Sequence, residues 1–271
     1  MQLRISLLSN AGGAAKSTLT AHLGYCLGAK GYSVALLDLD PQGSLSLFTG
    51  LDNPQPEQTV SNVLHGDFSG NWNLASVWTE YLDKVSVCQS NMGLVKTINE
   101  LVLDERGAYA LSDRLADHPL PHDVLFFDCP ATLGPLSLIA LSASTHILVP
   151  VQVEPKSVHG SAELFTYIFT TIRKLRLRPE PKILGIVPTQ FDANVAIHRR
   201  LKDALTPVTE RMGLRYFPPV RYSTEFKNCS EVGLPLHLFR PKSKAVKDFD
   251  PIVDAIAQAL LQEQIVGELK Q

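Results

Sequence analysis

The sequence predicts an α/β fold: a mostly parallel, twisted β-sheet with helices on both faces. Three observations carry that expectation. Short apolar runs without strong alternation recur between segments of helical period, the pattern of strands buried on both faces by crossover helices. The first run, LRISLLS (3–9), leads into a loop of small residues and then a helix. Two later runs, SVALLDLD (33–40) and DVLFFDCP (123–130), carry aspartates at their ends. In open α/β sheets ligands bind beyond the carboxyl ends of the strands.

From Lys16 the leucines Leu19, Leu23 and Leu27 recur every four residues, which starts a helix there. Gly31 lies just past its end, where helices often stop. SVALLDLD is the next buried strand. Residues 51–80 are rich in Asn, Pro, Gly and Trp without clear period, apart from a short helix at VSNVLHG. KVSVCQS (84–90) reads as a strand, 92–117 as helices and DVLFFDCP as a strand. LSLIALSAS is a helix and THILVPVQ (145–152) a strand. A helix is expected near 157–176, a strand at KILGIVPTQ (182–190) and a helix near 193–211. One long helix is expected from Ser243 to Lys270. No repeat or Gly/Ser linker interrupts the chain, so residues 1–271 read as one domain. The first strand starts almost at residue 2, which leaves no room for an N-terminal helix-turn-helix domain.

Hydrophobic residues make up 45% of the chain, enough for a sizeable core in a soluble fold. The formal charge of −2 hides an asymmetry. Residues 173–227 hold 12 Lys+Arg against 5 Asp+Glu, whereas residues 1–150 hold 7 against 14. A solvated basic face or an anionic partner would account for the first of these. The cysteines, at 26, 88, 129 and 229, form no C-x-x-C pair. A disulfide framework, a zinc knuckle and an iron–sulfur ligand pair therefore lack support, and a reducing compartment fits. No signal peptide is visible, and no apolar run approaches the roughly 20 residues of a membrane span. The histidines show no metal spacing; His118 and His122 flank PLP in an expected loop.

The loop SNAGGAAKSTLT (9–20) resembles a phosphate loop with two glycine positions filled by Asn10 and Ala15. A strand, a small-residue turn and a helix start present free N–H groups and a helix dipole to phosphate oxygens. Gly12 and Gly13 permit close backbone approach. Lys16 would reach the β and γ phosphates, and Ser17 would offer a hydroxyl to Mg²⁺. At Ala15 a positive φ would cost about 1 kcal/mol or more. The alternative is a small-residue turn before an ordinary core helix.

AGGAAKSTLT, together with LLDLDPQGSLS and LFFDCPATLG, resembles the deviant Walker A, A′ and Walker B set of the ParA/MinD family of ATPases. The resemblance continues through ILVPVQVEPKSVHG and the C-terminal PPVRYSTEFKNCSEVGLPL and RPKSKA, in the family's order. It covers essentially the whole chain and implies a P-loop NTPase-like fold, ATP and Mg²⁺ as cofactors, and an ATP-dependent homodimer. Nucleotide contacts fall on Gly12, Gly13, Ala14, Ala15, Lys16, Ser17 and Thr18. Lys16 matches the phosphate-binding lysine and Ser17 the Mg²⁺ ligand. Asp38 matches the residue that positions the attacking water. Asp128 matches the Walker B carboxylate, reaching Mg²⁺ through water. Phosphoryl transfer needs mainly charge compensation and an in-line water, which these groups supply. Asp40, just before Pro41, reads equally well as a turn residue.

One position departs from the family. Its loop opens with a lysine that crosses a dimer to the partner's phosphates; here that position is Ala11. The departure, with Ala15, resembles the McdA-type subgroup that positions carboxysomes, in which a lysine from the second half of the chain serves instead. Lys156, in VEPKSVHG, is the candidate, as the only lysine or arginine between Arg114 and Arg173 and one that follows a strand end. The alternative is a solvated loop lysine.

Relatives of this family use the nucleotide switch for DNA binding, membrane binding, or metal and redox work. Paired cysteines are absent. The last helix carries Ile252, Ile256, Leu260 and Val266, but from Asp254 on it has only Lys270 against three acids, a poor ligand for anionic lipid. Non-specific double-stranded DNA fits better, through phosphate contacts blind to sequence. The candidates are Arg173, Lys174, Arg199, Arg200, Lys202, Arg221 and Lys227, with Arg199, Arg200 and Lys202 foremost because they cluster at an expected helix start. The implied protein is a cytoplasmic, nucleoid-associated positioning ATPase. Its implied partner is an McdB-like adaptor on carboxysomes or, alternatively, a ParB-like protein in plasmid partition. A non-hydrolysing nucleotide-binding scaffold is the reading from another class.

Overall fold

The structure, a computed structural model, describes residues 2–268. Seven strands form one sheet: β1 Leu3–Leu7, β2 Val34–Asp38, β3 Ala75–Ser76, β4 Val85–Cys88, β5 Val124–Asp128, β6 His146–Gln152 and β7 Lys182–Thr189. Their order is β3-β4-β2-β5-β1-β6-β7, and all neighbours are parallel except the short edge strand β3, which runs antiparallel to β4. In chain order the helices are α1 Lys16–Ala29, α2 Ser44–Thr49, α3 Val60–Leu64, α4 Gly93–Leu101, α5 Ala110–Asp117 and α6 Pro135–Ala143. After these come α7 Pro155–Leu175, α8 Ala196–Arg211, α9 Glu225–Glu231, α10 Leu236–Phe239 and α11 Asp250–Glu268.

Strand residues alternate between two cores, which is why the strands show no polar face. Ala35, Leu37, Leu125, Phe127, Ile147 and Val149 join the core that includes residues of α3 to α7. Their neighbours Val34, Leu36, Val124, Phe126 and Leu148 pack on the other side with α1 and α11. The central strands β2, β5 and β1 sit side by side, in register Asp38 with Asp128 and Leu7 with Asp128. That register brings the carboxyl ends of three strands, and the loops that follow them, to one edge.

The expected single C-terminal helix is corrected. Residues Lys244–Phe249 form a 3₁₀ turn, begun by Ser243, whose hydroxyl accepts from the Ala245 N–H at 3.4 Å. The α-helix starts only at Asp250, because Pro251 cannot donate to a preceding turn but fits a first helical turn. Ile252, Ile256 and Leu260 are buried in the core, as the packing role requires. Lys270 lies outside the described residues. Within 51–80 the structure adds β3, two residues long and so without a periodic signal. Among the described residues no helix is long and apolar enough to cross a membrane.

Candidate nucleotide-binding site

The loop between β1 and α1 is shaped by two left-handed residues, Gly13 at φ 78° and Ala15 at φ 60°, ψ 31°. Ala15 thus takes the conformation normally left to glycine, at a cost of about 1 kcal/mol. The rest of the fold holds the loop. Thr189, at the end of β7, donates its hydroxyl to the Ala14 carbonyl at 3.2 Å, and the Gln190 side-chain amide donates to the Gly13 carbonyl. The Asn10 amide donates to the Gly160 carbonyl of α7 at 2.6 Å. With those carbonyls engaged by protein, the loop N–H groups and the free first turn of α1 remain for an anion. Lys16 opens that turn and is itself buried.

Two buried carboxylates face this helix start from adjacent strands. Asp128 ends β5; Ser17 hydrogen-bonds its side chain, and Thr20 donates to Oδ1 at 3.4 Å. Its Oδ2 is buried without a hydrogen-bond partner. Burial pushes the Asp128 carboxyl up to about 6, although the Ser17 hydrogen bond and Lys16 pull the other way. Asp38 ends β2 and is fully buried. Its Oδ1 accepts from the Asp40 N–H at 2.9 Å and its Oδ2 from the Leu45 N–H at 3.1 Å. Burial, and then the nearby Asp128, hold the Asp38 carboxyl well above the ordinary range, against those two amides. Asp40 spends its Oδ1 on the Gln42 N–H at 3.0 Å, the behaviour of a turn residue.

A cavity of about 240 Å³ opens beside the loop, lined by Gly13, Ala15, Thr18, Phe48, Tyr222 and Phe226 among others. The C-terminal stretch PPVRYSTEFK therefore folds back onto the loop.

Lys156 is the second residue of α7 and is exposed, so it sits in a helix rather than a loop. It precedes Gly160 by four residues, about 6 Å along the axis. The basic candidates divide. Arg199, Arg200 and Lys202 lie at the start of α8, just after β7 ends on the nucleotide edge. Arg221 and Lys227 line the cavity beside the loop. Arg221 is engaged by Asp248, at 2.7 and 2.6 Å from Nε and an NH₂ nitrogen. Arg173 and Lys174 occupy the last turn of α7, at the opposite edge of the sheet. The residues that sequence reasoning missed are those that hold the loop: Asn10 in its hydrogen-bonding role, Gly160, Thr189 and Gln190. Asn10 at a glycine position was the one available signal.

Residues 3–182 match the AAA domain family. The chain is 33% identical over 195 residues to the chromosome partitioning protein ParA of Caulobacter vibrioides, a match covering 70% of each chain. This chain belongs to the ParA/MinD family of P-loop ATPases. The sporulation initiation inhibitor protein Soj of Bacillus subtilis is 26% identical over 265 residues, covering 93% of this chain and 97% of Soj. Among solved structures, apo McdA from Cyanothece superposes with a TM-score of 0.83 at 22% identity, covering 94% of this chain and 100% of that one. Its ATP complex gives the same TM-score. The chain shares the fold of these ATPases.

Among solved structures of similar fold, the cobyrinic acid a,c-diamide synthase of Mycobacterium smegmatis holds an ATP analog and magnesium, and the McdA of Cyanothece holds ATP. The donors of this ParA/MinD ATPase fit the ion. A hydroxyl and a buried carboxylate with one orphaned oxygen form a hard-oxygen set of the kind Mg²⁺ takes, with waters completing the shell.

Proposed function

We propose that this protein is an ATP-switched positioning ATPase in which the whole chain works as one unit. Two copies close face to face across their nucleotide edges. The closed dimer holds duplex DNA by its phosphates, and a cargo-bound adaptor stimulates hydrolysis and release. Ser17, and Asp128 through water, would hold Mg²⁺, which supplies charge neutralisation at the phosphates. Lys16 binds the β and γ phosphates, and the loop amides from Gly12 to Thr18 cradle them. Asp38, with both oxygens fixed by amides, accepts from and orients the attacking water. The cavity beside Thr18 and Phe226 takes the base.

The observation that carries this reading is the placement of Lys156. The Asn10–Gly160 hydrogen bond ties the first turns of α7 to the loop that includes Ala11, and the exposed Lys156 lies one helical turn before Gly160 on that tied helix. Lys156 supplies to the partner's nucleotide the cation that Ala11 cannot. Duplex contacts fall first to Arg199, Arg200 and Lys202, with Lys227 and Arg221 nearby, in the cytoplasm and on the nucleoid. The McdA resemblance, in loop and fold, favours carboxysomes as cargo with an McdB-like adaptor. The identity to Caulobacter ParA favours, as second reading, a partition role with a ParB-like partner.

Light scattering on gel filtration tests the switch. The Asp38→Ala protein with ATP and magnesium is expected to run as a dimer, and Lys156→Ala as a monomer under the same conditions. Duplex binding should follow the dimer, with log K falling against log salt at a slope near −5 for roughly 6 neutralised phosphates. Dimerisation unaffected by Lys156→Ala would remove the proposed role of that residue. Phosphate release no faster than from Asp38→Ala would turn the reading to a scaffold.

A further inference from the structure

Helix α7 has 21 residues and so runs about 30 Å from the nucleotide edge to the opposite edge of the sheet. Its far end contributes to a concavity of about 810 Å³ whose lining includes Phe169, Arg173, Arg176, Arg178 and Glu180. Among the described residues the one ion pair in this cluster joins Arg178 to Glu180. Arg173 and Arg176 are exposed and, among the described residues, have no acidic side chain in ion-pair distance. Phe169 is 46% exposed, lies one helical turn before Arg173, and stacks on the buried Phe165 with centroids 6.5 Å apart. The ring is therefore backed by core packing while part of it faces solvent beside guanidinium groups.

Arg173 and Arg176, gathered at one concavity beside the already paired Arg178, repel each other until closely spaced negative charges join them. Their planar forks match phosphate oxygens in particular. A supported, exposed aromatic ring beside them adds a surface on which an unstacked base can lie. Duplex DNA keeps its bases stacked inside and has no use for that ring. An acidic peptide would satisfy the arginines and leave the ring idle.

We propose that this far-edge cup is a second nucleic-acid site, distinct from the ATP-switched one, that takes a single strand. Phosphates sit on Arg173 and Arg176, and a base stacks on Phe169. Arg173, grouped by sequence with Arg199 and Arg200, belongs to this separate site. Because the cup lies some 30 Å from the nucleotide edge, along the full length of α7, it works in the nucleotide-free monomer. Single-stranded DNA and RNA share the chemistry required.

Fluorescence anisotropy with labelled oligothymidylate and oligouridylate of about 15 nucleotides tests it, beside a duplex of equal length and without ATP. The wild-type protein should bind the single strands more tightly than the duplex, and the tighter of the two identifies DNA or RNA as the source. Arg173→Glu/Arg176→Glu should lower single-strand affinity at least tenfold and flatten the salt slope by about 1.4, at roughly 0.7 per phosphate contact. Phe169→Ala should weaken single-strand binding at least about fivefold, the lower bound for one stacked base, and leave duplex binding unchanged. Circular dichroism and the unfolding midpoint check the fold; should the charge reversal fail to fold, Arg173→Gln/Arg176→Gln carries the same expectation. Equal binding of duplex and single strand, or no effect of Phe169→Ala, would overturn the proposal. So would displacement by polyglutamate as efficient, charge for charge, as by unlabelled oligonucleotide, which would assign the cup to an acidic peptide. Duplex capture by the ATP-loaded Asp38→Ala dimer is measured in parallel. Its failure would count against the positioning function alone.

Discussion

Replacing Gly160 with alanine separates the stability of the fold from the placement of Lys156. A Cβ on Gly160 would lie 2.5 Å from the Asn10 side-chain nitrogen, so the flexible end of Asn10 has to move. Moving it breaks the 2.6 Å hydrogen bond to the Gly160 carbonyl. That partly buried bond contributes about 0.5–1.5 kcal/mol. Alanine within a helix returns about 0.8–1.0 kcal/mol of propensity. The two effects offset, and net stability should stay within about 0.5 kcal/mol, or about 2 °C in the unfolding midpoint for a chain of this size. Function should not be spared. With the tie broken, the loop and α7 lose their fixed spacing, and displacements of about 1 Å near reacting groups can cost up to about a hundredfold. Calorimetry, light scattering with ATP and magnesium, and phosphate release should together show a near-native midpoint with dimerisation and turnover reduced at least about tenfold. Adding Asn10→Ala removes the clashing group, so the double variant should recover part of the loss, a coupling that only residues in contact show. Native dimerisation in Gly160→Ala, or no recovery in the double variant, would refute the proposed tie.

Gly233→Ala should be costly. The new Cβ would fall on the Gly50 backbone, and both glycines have positive φ, so neither side chain nor backbone can yield. A loss of about 3 kcal/mol and an unfolding midpoint lower by about 6 °C or more are expected; a smaller shift would mean that the two turns slide apart freely. Asp128 governs part of the pH dependence. Its folded value of about 6 lies above the ordinary 3.8, so its stabilising share is full below the ordinary value and lost as pH rises through 6. Asp128→Asn should therefore unfold at a higher temperature than the nucleotide-free wild type above pH 6, with the difference closing toward pH 4; a difference independent of pH would contradict the burial argument. His22 acts in the opposite sense, since burial pushes it down to about 3 from 6.5: its stabilising share is present above 6.5 and lost as pH falls toward 3. It donates from Nδ1 to the Thr18 carbonyl at 2.6 Å, accepts the Leu236 N–H at 3.0 Å and stacks on Phe249. His22→Ala should cost about 2–4 kcal/mol in denaturant unfolding, and a loss under about 1 kcal/mol would show those bonds to be dispensable.

The parts of the fold that were legible in the sequence are those with a strong period or a chemical reason. The central strands carry continuous apolar runs because both faces are buried, and the loop before Lys16 has a composition that few other turns need. The antiparallel β3 was not legible, since two residues cannot show alternation. Helices α9 and α10 are too short for a helical period and are positioned by tertiary contacts such as that of the Leu236 amide with His22. The sequence pattern predicts too long a C-terminal helix because apolar residues on either side of Pro251 keep in step. At the site, residue types pointed to Lys16, Ser17, Asp38 and Asp128. What locks the loop, Thr189 at the end of β7, Gln190 just after it and Gly160 from α7, comes from segments more than a hundred residues away and left no local trace. The basic residues looked like one group in sequence; the length of α7 divides them between two edges.

Asp38 does more than end β2 beside Asp128. Its two oxygens are held by the Asp40 and Leu45 amides, so the carboxylate also fastens the first turn of α2, the short helix that carries the exposed Leu47. Pressure on that helix from outside is delivered straight to the group proposed to orient water. On that proposal, a visiting protein that leans on Leu47 would gain a handle on the turnover clock without touching the nucleotide.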